Sequence, residues 1–196
     1  MQIIYTAHLH AQFEWMPHIF TQIRQLRESP SLLLDLGGVS SPENWVCQAT
    51  ENRAAYIILD AMGYHVAYAD GLTTSAIIGL QPQVQVRLLD NSIFYRWTWR
   101  EWSLNVGPTA PAPSVTWAIE SSNYQPQAGR LVLEPRANHL GLLRVQWPDM
   151  TILKSSYIPF DLSTPPDPTI TAAIEFVERE ARFYEQKQRG DSPHES

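Results

Sequence analysis

Residues 32–38 read LLLDLGG. An apolar run this short, broken by one acid and stopped by two glycines, is the composition of a strand buried on both faces. Upstream, Gln2 to Thr6 (QIIYT) has the same character and reads as an earlier buried strand. Between them, Ile19, Ile23 and Leu26 recur at helical spacing, so Pro17 to Arg27 is expected to be a helix. Ser29-Pro30 ends it, because a residue before proline is pushed out of the helical region. Downstream, Pro42 suits a first helical turn, with Ser41 as its cap. Ala54, Ala55, Ile58, Leu59 and Met62 make an apolar stripe that Gly63 terminates. Val66 to Ala69 is a third strand, and Thr73 to Leu80 fits a short helix. The order βαβαβ with short connections implies a parallel sheet covered by helices. Ligands of such sheets sit at the carboxyl ends of the strands. Here those ends are His8 to His10, Gly37 to Ser41, and Asp70 to Thr73.

After Leu80 the pattern changes. VQVRLLD (84–90), FYRWTWREW (94–102), SVTWAIE (114–120), RLVLE (130–134), LLRVQW (142–147) and ILKSSYI (152–158) all have strand composition with turns between them. A mainly antiparallel second half is expected. Asp167-Pro168 then opens a last helix whose apolar face is Ile170, Ala173, Ile174, Val177, Ala181 and Tyr184. The organisation expected is one domain over residues 1–186 and a polar, disordered tail over 187–196.

Composition narrows the function classes. The chain has 196 residues, 44% hydrophobic and 17% charged, enough apolar material for a packed core. A net charge of -6 and the absence of a Lys/Arg cluster disfavour nucleic acid as a partner. No window approaches the length of a membrane span, and the opening MQIIYTAHLH lacks a basic leader, so a cytoplasmic protein with no membrane partner is expected. The single cysteine, Cys47, excludes a Cys-based zinc site and is expected to be a buried, inert thiol.

Three stretches, by their order and spacing, resemble one family. IIYTAHLHAQFEW (3–15) is similar to the strand and loop that carry the Asp-x-His motif of metallophosphoesterases of the 5'-nucleotidase, UDP-sugar hydrolase-like type. LLLDLGG, a helix and AMGYHVAYAD (61–70) resemble its L-L-D-x-G-D segment and the strand before G-N-H-E. NHLGLLRVQW (138–147) and PFDLSTPPDPTITAAIEF (159–176) resemble the end of that domain. The resemblance implies an α/β fold, a four-layer α/β/β/α sandwich, shortened in its middle. It also implies metal-dependent phosphoester hydrolysis, and there the residues depart from the pattern.

A two-metal phosphoesterase needs carboxylates, imidazoles and an amide converging on two cations. By the resemblance, the first Asp falls on His8 and its His on His10. The metal-bridging Asp falls on Gly38, and the Asn-His pair falls near Gly71-Leu72. The late G-H-x-H motif falls near AIESSNY (118–124), which has no histidine, and His139 lies downstream of it. The expectation is a degenerate, calcineurin-like phosphoesterase scaffold without phosphatase activity, a pseudoenzyme that acts by binding a small ligand or a protein partner. No catalytic residue is assigned and no cofactor is expected. The rival is an active metal-dependent hydrolase of phosphate esters or nucleotides, with one Mn or Zn ion held by His8, His10 and Asp70. Asp70 and Ser40, at sheet ends, are also candidates for metal ligation or phosphate contact on a ligand surface, against the plainer roles of a turn and a helix cap. Gly37-Gly38 before a helix is a weak anion-binding signal, and neither G-x-G-x-x-G nor a Walker lysine is present. Tyr95, Trp97 and Trp99 share one face of an alternating strand. That face is either core or a stacking surface for a ligand or a second subunit.

Overall fold

The computed structural model describes residues 1–90, 95–99, 102–108, 117–121, 130–146 and 151–190. Four parallel strands, β1 (Gln2–Thr6), β2 (Ser31–Asp35), β3 (Val66–Tyr68) and β4 (Arg87–Leu89), form one side of a six-stranded sheet. Two late strands, β9 (His139–Gln146) and β10 (Thr151–Pro159), add antiparallel at β1, giving the order β10-β9-β1-β2-β3-β4. The strands between, β5 (Tyr95–Trp99), β6 (Trp102–Pro108), β7 (Trp117–Ser121) and β8 (Arg130–Leu133), form an antiparallel meander of their own. The second half is thus antiparallel as expected, with one exception. VQVRLLD contributes β4, which runs parallel to β3 in the first sheet.

Side chains alternate along each strand, and the central sheet is buried on both faces. Ile4, Leu33, Ala67, Leu88 and Leu142 point to the helices. Ile3, Leu32, Leu34, Val66 and Leu143 point the other way, where Leu133 at the end of β8 joins them. Gly141 on β9 is needed on that second face, since a β-carbon there would lie 2.0 Å from the Tyr5 ring.

The helical side consists of α1 (Met16–Leu26), α2 (Trp45–Ala49), α3 (Arg53–Ala61), α4 (Thr74–Leu80) and α5 (Pro168–Gly190). Each follows from a local signal. The apolar stripe from Ala54 to Leu59 is buried along α3, and Gly63 takes a left-handed turn just past it (φ +72). Asp167 caps α5, its Oδ1 accepting the N–H groups of Thr169 at 2.9 Å and Ile170 at 3.3 Å. A 2.8 Å ion pair from Arg24 to Asp167 ties α1 to the start of α5. The helix runs on to Gly190, into the stretch expected to be a polar tail.

Ser41 is not the cap of α2. Asn44 fills that place, its Oδ1 accepting from Val46 at 2.9 Å and Cys47 at 3.3 Å. The helix stops after Ala49, because Glu51 and Asn52 turn left-handed and start α3 in a new direction. Cys47 is buried, and burial pushes its thiol up, away from the reactive thiolate. No helix among the described residues is long and apolar enough to cross a membrane.

Candidate functional site

The carboxyl ends of β1, β2 and β3 bring His8, His10, Gly38, Ser40 and Asp70 to one edge of the sheet. Backbone pairing continues past the strands: His8 N–H donates to Gly37 O at 2.8 Å, His10 N–H to Gly38 O at 2.8 Å and Ala11 N–H to Val39 O at 2.7 Å. That pairing holds His8, His10 and Ala11 at φ of +57, +49 and +53, where L-residues are strained. The two imidazoles stack, with ring centroids 5.8 Å apart and planes 22° from parallel. His10 is exposed and His8 half-buried.

Gly38 is enclosed. Its φ is +72, and a β-carbon there would lie 2.9 Å from His8 Nδ1 and 3.1 Å from His8 Cα. Its N–H donates to both carboxylate oxygens of Asp70, at 2.9 and 3.2 Å. Asp70 is an exposed residue whose carboxylate folds back over the backbone. Desolvation there raises its carboxyl above the usual range, opposed by the N–H groups of Gly38 and Gly71 and by nearby His8. Asp70 lies in a turn, but its carboxylate bonds across to Gly38, 32 residues away. The Gly37-Gly38 anion reading does not hold. Gly37 N–H donates to Asp35 Oδ1 at 3.0 Å, Gly38 N–H is taken by Asp70, and the next helix does not start before Trp45.

Gly71 is enclosed in the same way from the end of β2. A β-carbon on it would lie 2.0 Å from Ser40 Oγ and 3.1 Å from Ser40 Cβ. Its N–H donates to Tyr56 Oη at 3.2 Å, and its carbonyl accepts from Asn52 Nδ2 at 2.8 Å. Ser40 also hydrogen-bonds Tyr56 on α3, and the cap of the next helix is Asn44.

Asp35 is fully buried below this edge. It accepts from Thr6 Oγ1 at 2.8 Å, and Thr6 Oγ1 in turn shares a 2.8 Å bond with Tyr64 Oη. Burial pushes its carboxyl up to about 8, with Thr6 and Gly37 N–H pulling the other way and the Asp70 charge adding to the rise. Thr6, Asn52, Tyr56 and Tyr64 carry no sequence signal. Each lies in an apolar or turn context, and only the fold brings them to this edge.

The donor set does not fit a two-metal centre. Gly38 and Gly71 offer no side-chain donor atoms, Asp70 is engaged with backbone N–H groups, and Asp35 faces Thr6. Among the described residues no three His, Cys, Asp or Glu side chains are grouped to hold a metal ion. Tyr95, Trp97 and Trp99 lie on β5, whose backbone pairs with β6 through Tyr95–Val106, Trp97–Leu104 and Trp99–Trp102. Their side chains fall outside the described residues.

No family model matches the chain, and no curated protein matches it. Among solved structures it is similar to the 5'-nucleotidase precursor from Thermus thermophilus, at 10% sequence identity and a TM-score of 0.48. That match covers 93% of this chain, which spans 59% of the length of the other.

Proposed function

We propose that this chain is a degenerate metallophosphoesterase-like domain that works by binding a ligand or partner at its strand ends, without hydrolysing phosphoesters. One observation carries the reading. At Gly38 and Gly71, on or beside which the resemblance would put the bridging carboxylate and the Asn-His pair, the chain does more than lack side chains: His8 and Ser40 occupy the space a side chain would take. A carboxylate at 38 would meet backbone as well as imidazole, so restoring the ligand requires the β1 end to move. What the edge still presents is the stacked pair of His8 and His10 on a strained backbone. Strain of this kind collects where a protein engages something else.

The rival, a rebuilt single-metal hydrolase, rests on His8 and Asp70 lying at neighbouring places on this edge, close enough for the imidazole to act on the carboxylate. Turnover of p-nitrophenyl phosphate and of nucleoside monophosphates, measured with manganese or zinc, separates the two. The proposal expects the wild-type chain and a His8→Ala/His10→Ala variant to be equally inactive. Metal-dependent turnover that the double variant loses would establish the rival.

A further inference from the structure

The C-terminal helix carries a face that the other described residues leave uncovered. Ile170, Val177 and Ala181 of α5 are buried against the other helices. On the outer side, Phe176 is 48% exposed and Phe183 60% exposed. Arg179 and Glu180 lie between them and are also exposed. Phe176 and Phe183 are two helical turns apart and so share one side of the helix. Beside Phe176 runs a groove of about 160 Å³, lined by Ile57, Leu80, Val177 and Tyr184 together with the charged Arg53 and Glu180. An apolar cavity of about 150 Å³ takes up a benzene-sized ring, so this groove has room for one phenyl side chain.

We infer that this face docks on the same face of a second copy of the chain. The two α5 helices would run antiparallel about a two-fold axis passing between Arg179 and Glu180. In that register Phe176 meets Phe183 of the second copy, and Arg179 meets Glu180 of the second copy, each contact made twice. Phe183 of each copy is then next to the groove that Phe176 lines in the other. The charges select the register. An axis through Glu180 opposes two glutamates, an axis through Arg179 opposes two arginines, and the axis between them pairs opposite signs while keeping Phe176 against Phe183. A contact of this kind uses the same patch on both copies and closes as a dimer. A second copy fits the face better than an unrelated apolar segment, because the alternation Phe, Arg-Glu, Phe is its own complement when reversed.

Sedimentation equilibrium of the full chain, from micromolar to millimolar concentration, reads the association directly. The wild-type chain is expected to show a monomer–dimer equilibrium. Arg179→Glu and Glu180→Arg, each alone, are expected to weaken it by on the order of tenfold or more. The double variant Arg179→Glu/Glu180→Arg restores the opposite pairing and is expected to regain wild-type association. These side chains are exposed, so circular dichroism should show all variants folded. A wild-type chain that stays monomeric overturns the inference. So does a dimer indifferent to the single reversals, or a double variant that associates no better than the singles.

Discussion

Ser40 Oγ lies 2.0 Å from the point where a β-carbon on Gly71 would be. The two residues follow the ends of neighbouring strands, and their approach is what lets Tyr56 on α3 bond to both. Gly71→Ala should therefore lower stability, by about 1–3 kcal/mol, the usual cost of overpacking a filled site. Ser40→Gly made together with it removes the obstacle and should recover part of the loss. Urea unfolding of the two single variants and the double measures the coupling. Simple additivity would mean that the two residues do not contend for the same space.

Asp35 predicts a pH dependence. Burial raises its carboxyl to about 8 in the folded chain, against roughly 3.9 for an unfolded aspartate. The folded state therefore holds a proton that the unfolded state has released between those values. Its stabilising contribution is full below the unfolded pKa and is lost as pH rises toward 8, with a limiting slope of about 1.4 kcal/mol per pH unit. Asp35→Asn keeps an uncharged group of the same shape beside Thr6 and Gly37. Its stability should fall less than that of the wild type between about pH 5 and about pH 8, which lies inside the window above. Parallel pH profiles for the two proteins would show that Asp35 does not hold the proton.

His10 tests the strained edge. Its φ of +49 costs an L-residue about 1–2 kcal/mol relative to glycine. Replacing it by Ala and by Gly removes the same imidazole, so the difference between the two variants reports the backbone alone. His10→Gly should be the more stable by about 1 kcal/mol. Equal stabilities would mean that the backbone at position 10 relaxes out of the left-handed region.

The strand and helix order is legible in the sequence because β1, β2 and β3 alternate with amphipathic helices, and because Gly63 and Asp167 mark helix ends by chemistry that acts locally. Strand composition does not say which sheet a strand joins. RLL at 87–89 and HLGLLRVQ at 139–146 therefore give no sign of joining the first sheet, whereas their pairing with β3 and β1 is decided by long-range packing. The site divides the same way. The rule that ligands meet strand ends brings His8, His10, Gly38 and Asp70 together from the sequence. The enclosure of Gly38 by His8 and of Gly71 by Ser40 depends on how far the strand ends extend. The Thr6–Tyr64 bond spans 58 residues, beyond any motif. Asn44, rather than Ser41, caps α2 because the intervening residues form a turn that delays the helix.

The central claim is that the strand-end edge holds no catalytic metal. The most direct test is metal stoichiometry. The chain is purified without a polyhistidine tag, equilibrated with excess manganese or zinc, freed of unbound ion and measured by elemental analysis. Close to zero metal per chain is the predicted result. One or two tightly held ions per chain, lost in the His8→Ala/His10→Ala variant, would contradict it and show the site to be rebuilt.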